Sequence, residues 1–172
     1  MAPARADGTR GPRIALALAL VFEALGRAGS IGDSDGWWHF RTGKLILATH
    51  AVPRTDPYSW TAPGERWHPN AWLSDTVYAL VRRAGGLAGI AWLRTLFVPA
   101  FGLALHGLAR VRGARPWPSA VVAAVGTLAI YPFVAERPQL FSFLLLPAVI
   151  VVTERALSGS ARALTLLGVL FV

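Results

Sequence analysis

Apolar residues run along this chain in long blocks, each about the length of a bilayer-crossing helix. Such a helix needs about 20 mostly apolar residues. The first block covers 14–31 and is interrupted by Glu23 and Arg27. The second covers 86–109 and carries Arg94, Pro99 and His106. A third spans 117–135, a fourth 138–153, and a fifth runs from 163 to the last residue, 172. Between them lie polar segments at 1–13, 32–85, 110–116, 136–137 and 154–162. The pattern predicts an all-α membrane protein: a polytopic transmembrane helix bundle with one large external loop, 32–85. Because the fifth block stops inside an apolar run, the expectation is a piece of a longer chain. The remaining helices of that chain, or a partner subunit, would cover its open helix faces.

Composition supports the pattern. Hydrophobic residues make up 54% of the 172 positions and charged residues only 15%, against roughly 25% charged in an ordinary soluble domain. The net charge of +8 does not point to nucleic acid, because the basic residues flank apolar blocks instead of forming a run. Arg5, Arg10 and Arg13 precede the first block. Arg110, Arg112 and Arg115 separate the second from the third, and Arg155 and Arg162 separate the fourth from the fifth. The positive-inside rule then places the N-terminus in the cytoplasm and 32–85 outside, the expected location being the plasma (inner) membrane. Arg82 and Arg83 run against the trend, at the end of a long loop where the rule loses force. A rival for the first block is a signal peptide ending at Ala28-Gly29-Ser30, and it too delivers residue 33 to the outer face. With no Cys, disulfides and thiolate metal sites are excluded.

The external loop holds five of the nine acids, five of the seven Trp and three of the four His. Residues 36–48 are compatible with a short helix with an ill-defined apolar face, ended by Pro53. Asp56-Pro57-Tyr58-Ser59 and Ala62-Pro63-Gly64-Glu65 read as turns. Leu73, Val77, Leu80 and Ala84 form one helical stripe, with Ser74, Asp75 and Arg82 away from it. This predicts an interfacial helix ahead of the second span. The Trp residues suit an interfacial belt.

The motifs in order are Asp35-Gly36-Trp37-Trp38-His39-Phe40-Arg41-Thr42-Gly43-Lys44, Val52-Pro53-Arg54-Thr55-Asp56-Pro57-Tyr58-Ser59-Trp60, Ala71-Trp72-Leu73-Ser74 and Arg137-Pro138-Gln139-Leu140-Phe141-Ser142. Together they resemble the N-terminal part of the GT-C superfamily, polytopic glycosyltransferases related to the protein O-mannosyltransferases and aminoarabinose transferases. More narrowly, they are similar to uncharacterised bacterial membrane proteins near that superfamily. The resemblance covers about residues 14–155. It implies inverting transfer of a sugar from a polyprenyl-phosphate donor at the outer face. It also implies one or two acids at the end of the first helix, acting as base or holding a divalent metal, Mg²⁺ or Mn²⁺. Asp33 and Asp35 match that position. Glu136 is the acid available in the next external turn, and Arg137 beside it suits the donor phosphate.

The chemistry fits those residue types. An acceptor hydroxyl needs a base, and a phosphate leaving group needs positive charge. Two carboxylates serve the first role or ligate a hard cation. His39 and Trp38 are expected to touch phosphate or sugar. Arg94, deep in a span, should pair with a partner such as Glu23 or line a cavity. His39, His50 and His68 match no common zinc spacing. The competing reading from another class is a non-catalytic polytopic protein, part of a transporter or a scaffold for envelope assembly.

Overall fold

The computed structural model describes residues 8–29 and 31–170, with side chains to residue 168. Among the described residues its regular secondary structure is helical, apart from one isolated antiparallel bridge between Thr55 and Arg66, and 50–71 form a loop. The helices are α1 (Arg10–Arg27), α2 (Asp35–Thr49), α3 (Trp72–Val111), α4 (Pro116–Ile130), α5 (Gln139–Leu157) and α6 (Ala161–Leu170). A single 3₁₀ turn, Tyr131–Phe133, follows α4.

Three of these segments are long and apolar enough to cross a membrane: Trp72–Val111, Pro116–Phe133 and Gln139–Leu157. The first apolar block does form a helix, α1. It starts earlier than its apolar core and takes in Arg10, Arg13, Glu23 and Arg27, which is why it does not join those three. The expected interfacial helix and second span are one helical run, α3, interrupted only at Gly86 (φ 61°, ψ −151°). That conformation is open to glycine and strained for any residue with a Cβ, so the sequence places the bend there. Leu73 and Leu80 of the expected stripe are indeed on the exposed side of this helix.

The chain divides into two compact units. One comprises 1–28, 95–134 and 140–172; the other comprises 29–94 and 135–139. In the first, α1 buries Pro12, Leu16, Leu20 and Glu23, one helical face. Its neighbour α4 buries Ser119, Ala120, Ala123 and Thr127, all small. Leu16 and Leu20 pack on Ala120 and Ala123, with Leu105 at the edge. Small residues let helix backbones approach closely, the usual solution where lipid offers no hydrophobic drive for association. Gly102 and Gly126 extend the close fit, because a Cβ on either would come within 2.4 Å of Leu20 or Leu105.

In the second unit, α2 resolves its ill-defined apolar face into two working faces. Gly36, Phe40 and Gly43, at i, i+4 and i+7, are buried. A Cβ on Gly43 would lie 1.9 Å from the Asp75 carbonyl oxygen and 2.8 Å from the Ala79 Cβ, and one on Gly36 would meet Glu136 at 3.1 Å. The helix therefore presses backbone to backbone on α3 and on the 135–139 segment. Phe40 sits edge-on to Tyr78 at 5.8 Å, and both are 1% exposed. Burying a side chain such as Phe40 contributes about 1.5–3 kcal/mol. The other face, with Trp38, His39 and Thr42, looks onto the loop that follows.

Candidate functional site

That loop is built by its own polar groups. His50 closes α2 in the left-handed region (φ 53°), its N–H returning to the Ile46 carbonyl at 2.8 Å. The Asp56 carboxylate then accepts the backbone N–H groups of Tyr58 (2.7 Å) and Ser59 (3.0 Å) and the Ser59 hydroxyl. These bonds, the Ser59 hydroxyl first, hold the Asp56 carboxyl below the ordinary carboxylate range. The Asp56 N–H donates to Glu65 O at 2.8 Å and the Trp67 N–H to Arg54 O at 3.0 Å, with Gly64 (φ 81°) at the turn. Both turns expected from the sequence are therefore present, and they fold the loop back so that Tyr58 meets Trp67 edge-on at 5.7 Å. Trp38 also meets Tyr58 edge-on, at 5.2 Å.

Two groups of functional side chains result. The first gathers at the start of α2. Asp33 and Asp35 are brought together with Arg137, 104 positions beyond Asp33. The guanidinium donates to both Asp33 oxygens, with Nη2 at 3.1 Å from Oδ1, and the same Nη2 lies 3.0 Å from an Asp35 oxygen. Asp33 also accepts the Asp35 backbone N–H at 2.9 Å. The Arg137 hydrogen bond, partly opposed by burial, holds the Asp33 carboxyl below its ordinary range, and the same bond raises Arg137. The Asp33 side chain is 12% exposed and that of Asp35 52%. The two acids thus divide their work: Asp33 anchors, and Asp35 is the accessible carboxylate.

A depressed folded pKa stabilises above the unfolded value, and that contribution is lost as pH falls through the folded value. The Asp33–Arg137 contact should therefore persist below the ordinary carboxylate pKa of about 3.9. A carboxyl-carbon NMR titration of Asp33 should place its midpoint below that value, and Arg137→Gln should return it upward.

Glu136 departs from expectation. Glu136, expected to face the outer cavity as a substrate ligand, is 1% exposed and ion-paired with Arg94. Arg94, expected to find a partner inside the protein, pairs with Glu136 and also donates to the Gly29 carbonyl at 2.9 Å. The turn at 136–137 thus points its acid into the protein and its base toward Asp33.

The carboxylate pair was also expected to hold Mg²⁺ or Mn²⁺. The donor set fits such an ion poorly. Arg137 already bridges the two carboxylates where a cation would sit, and among the described residues no group of three or more His, Cys, Asp or Glu side chains is placed to hold a metal.

The second group surrounds a cavity of about 430 Å³. His39 and Trp38 of α2 line it together with Tyr58, Trp67, Asn70 and Asp75. His39 Nδ1 lies 2.7 Å from the Asp75 carboxylate, which is 3% exposed, while the imidazole is 23% exposed. His39 and Trp38 carry an expected role from their motif, whereas Asp75 reads in sequence only as the polar side of an amphipathic helix. His68 lines the same cavity, whereas His50 is a helix cap.

Beside it, Lys44, Arg82 and Arg83 line a cavity of about 510 Å³ whose other walls are Phe40, Leu47, Ala48 and Ala79. No carboxylate lies among those residues. Arg82 stacks over Trp37 at 5.2 Å and Phe40 at 5.4 Å. Arg82 and Arg83 ran against the topology pattern in the sequence, and here they form a local basic site.

No protein-family model, no curated protein and no solved structure matches this chain.

Proposed function

We propose that this is an integral membrane glycosyltransferase-like protein of GT-C type, with a polytopic helix bundle and its loop 32–85 at the outer face. It transfers a sugar from a polyprenyl-phosphate donor to a hydroxyl acceptor, with inversion. The observation that carries the reading is the pairing of an accessible carboxylate, Asp35, with an anchored one, Asp33, on a single guanidinium at the start of α2. The three apolar segments support placement in a membrane.

In this reading Asp35 takes the proton of the acceptor hydroxyl as its oxygen attacks the anomeric carbon. The bond from that carbon to the phosphate oxygen breaks, and polyprenyl phosphate leaves. Arg137 keeps Asp33 ionised and fixes the pair in place. Because Asp33 and Asp35 together outweigh its single charge, Arg137 is a weak attractor of phosphate. Lys44, Arg82 and Arg83, which share their cavity wall with no carboxylate among the described residues, supply the better positive potential for the leaving group.

Membranes carrying the protein should retain radiolabelled polyprenyl-phosphate sugars from a panel of hexose and pentose donors. Replacing Lys44, Arg82 and Arg83 together by Gln should lower that retention about tenfold or more, each lost phosphate contact costing about 1.5–3 kcal/mol. Equal retention by the triple variant would remove the phosphate assignment.

A further inference from the structure

The cavity bounded by Trp38, His39, Tyr58 and Trp67 has no role in the transfer step described above. Its walls combine three aromatic rings with a few fixed polar groups, the composition of a small-molecule site. The polar groups are prepared in two ways. Asp75, buried, binds His39 Nδ1 at 2.7 Å and so fixes the orientation of the ring, leaving Nε2 as the nitrogen free for a ligand. In the neutral imidazole, Nδ1–H donating to the carboxylate makes Nε2 an acceptor. The Tyr58 hydroxyl, part of the same wall, is shielded from solvent and has no hydrogen-bond partner among the described residues. Buried hydroxyls nearly always have one, so this atom points to a group supplied from outside. Asn70, exposed at the rim, adds an amide.

An acceptor nitrogen, an unpartnered phenol and an amide around aromatic faces match a ring that is apolar on its faces and carries hydroxyls around its edge. We propose that this cavity binds a sugar ring, with His39 Nε2 accepting a ring hydroxyl and Trp38 and Trp67 bounding its apolar face. The proposal deepens the glycosyltransferase reading and rests on it only for the identity of the sugar's carrier. The sugar belongs either to the acceptor or to the lipid-linked donor.

Saturation-transfer NMR on the purified full chain in nanodiscs tests this. One arm uses methyl glycosides of glucose, mannose, galactose and arabinose. The other uses a short-chain isoprenyl-phosphate sugar. Transfer to ring protons from a methyl glycoside assigns an acceptor, and transfer only in the second arm assigns the donor. His39→Ala and Trp38→Ala should each weaken binding about tenfold. Should either variant misfold, Asp75→Asn and Trp38→Phe, which keep shape, should still weaken it measurably. No ring-proton transfer in either arm with the wild-type protein overturns the proposal. So does binding that is indifferent to these substitutions. Loss of the glycosyltransferase reading would show separately, in the dependence of transfer on Asp35.

Discussion

Arg94→Ala should be among the most damaging substitutions in this protein, with an expected loss of about 3–5 kcal/mol. Arg94 and Glu136 are both nearly inaccessible, at 7% and 1% exposed. Removing the guanidinium leaves a buried carboxylate with no opposite charge and frees the Gly29 carbonyl that Arg94 also holds. Glu136→Gln should cost less, because an amide still accepts a hydrogen bond from the guanidinium. The double variant Arg94→Met with Glu136→Leu should recover most of the loss, since well-packed apolar pairs often replace buried ion pairs at little net cost. Denaturant unfolding of the four proteins in one detergent checks this. A double variant no more stable than Arg94→Ala would show that the loss does not come from the buried carboxylate left without its guanidinium.

Gly43→Leu should be comparably severe. The distance of 1.9 Å from an added Cβ to the Asp75 carbonyl leaves no room even for Ala, and the obstacle is backbone. Overpacking of this kind costs about 1–3 kcal/mol and sometimes more, here because α2 and α3 must separate. Separation also pulls Asp75 from His39, so Gly43→Ala should shift the His39 imidazole resonances as well as lower the thermal midpoint. Gly107→Ala is the control. It lies inside α3 with nothing within 4 Å of its added Cβ, and it should be neutral or gain about 0.5–1 kcal/mol. Unchanged His39 resonances in a destabilised Gly43→Ala would mean that the dyad does not depend on the helix crossing.

Local rules served the sequence reading well where the cause was local. Pro57 and Gly64 sit in the turns their chemistry favours, and the apolar blocks are helices. The carboxylate pair at residues 33 and 35 stood out because acids are scarce. What the sequence hid was pairing at a distance. His39 and Asp75 are separated by 36 positions and Asp33 and Arg137 by 104, and nothing in either neighbourhood names the other. Asp75 sat on the polar side of a helix, where a carboxylate is ordinarily solvated. Tyr58 and Trp67 each read singly as loop or belt aromatics, and only the fold-back of 54–67 makes them a wall. Glu136 misled in the opposite direction: a charged residue in a short turn is ordinarily solvated, but here the partner is Arg94. The two faces of α2 were obscured because its buried stripe contains two glycines, which carry no hydrophobic signal.

The proposed transfer of sugar through the Asp35 carboxylate is tested by following the label in membranes. Membranes containing wild-type protein, Asp35→Asn or Asp33→Asn are supplied with radiolabelled polyprenyl-phosphate sugar, and label released from the lipid into acceptor is counted at equal amounts of folded protein. Asp35→Asn should lose transfer by about 10²-fold or more, the scale of a positioned acid–base group. Asp33→Asn should lose less, since its remaining amide oxygen can still accept the Asp35 N–H and one Arg137 N–H, and the Asp35 carboxylate itself is kept. Transfer by Asp35→Asn at the wild-type rate, or no dependence of label release on the protein at all, would contradict the account.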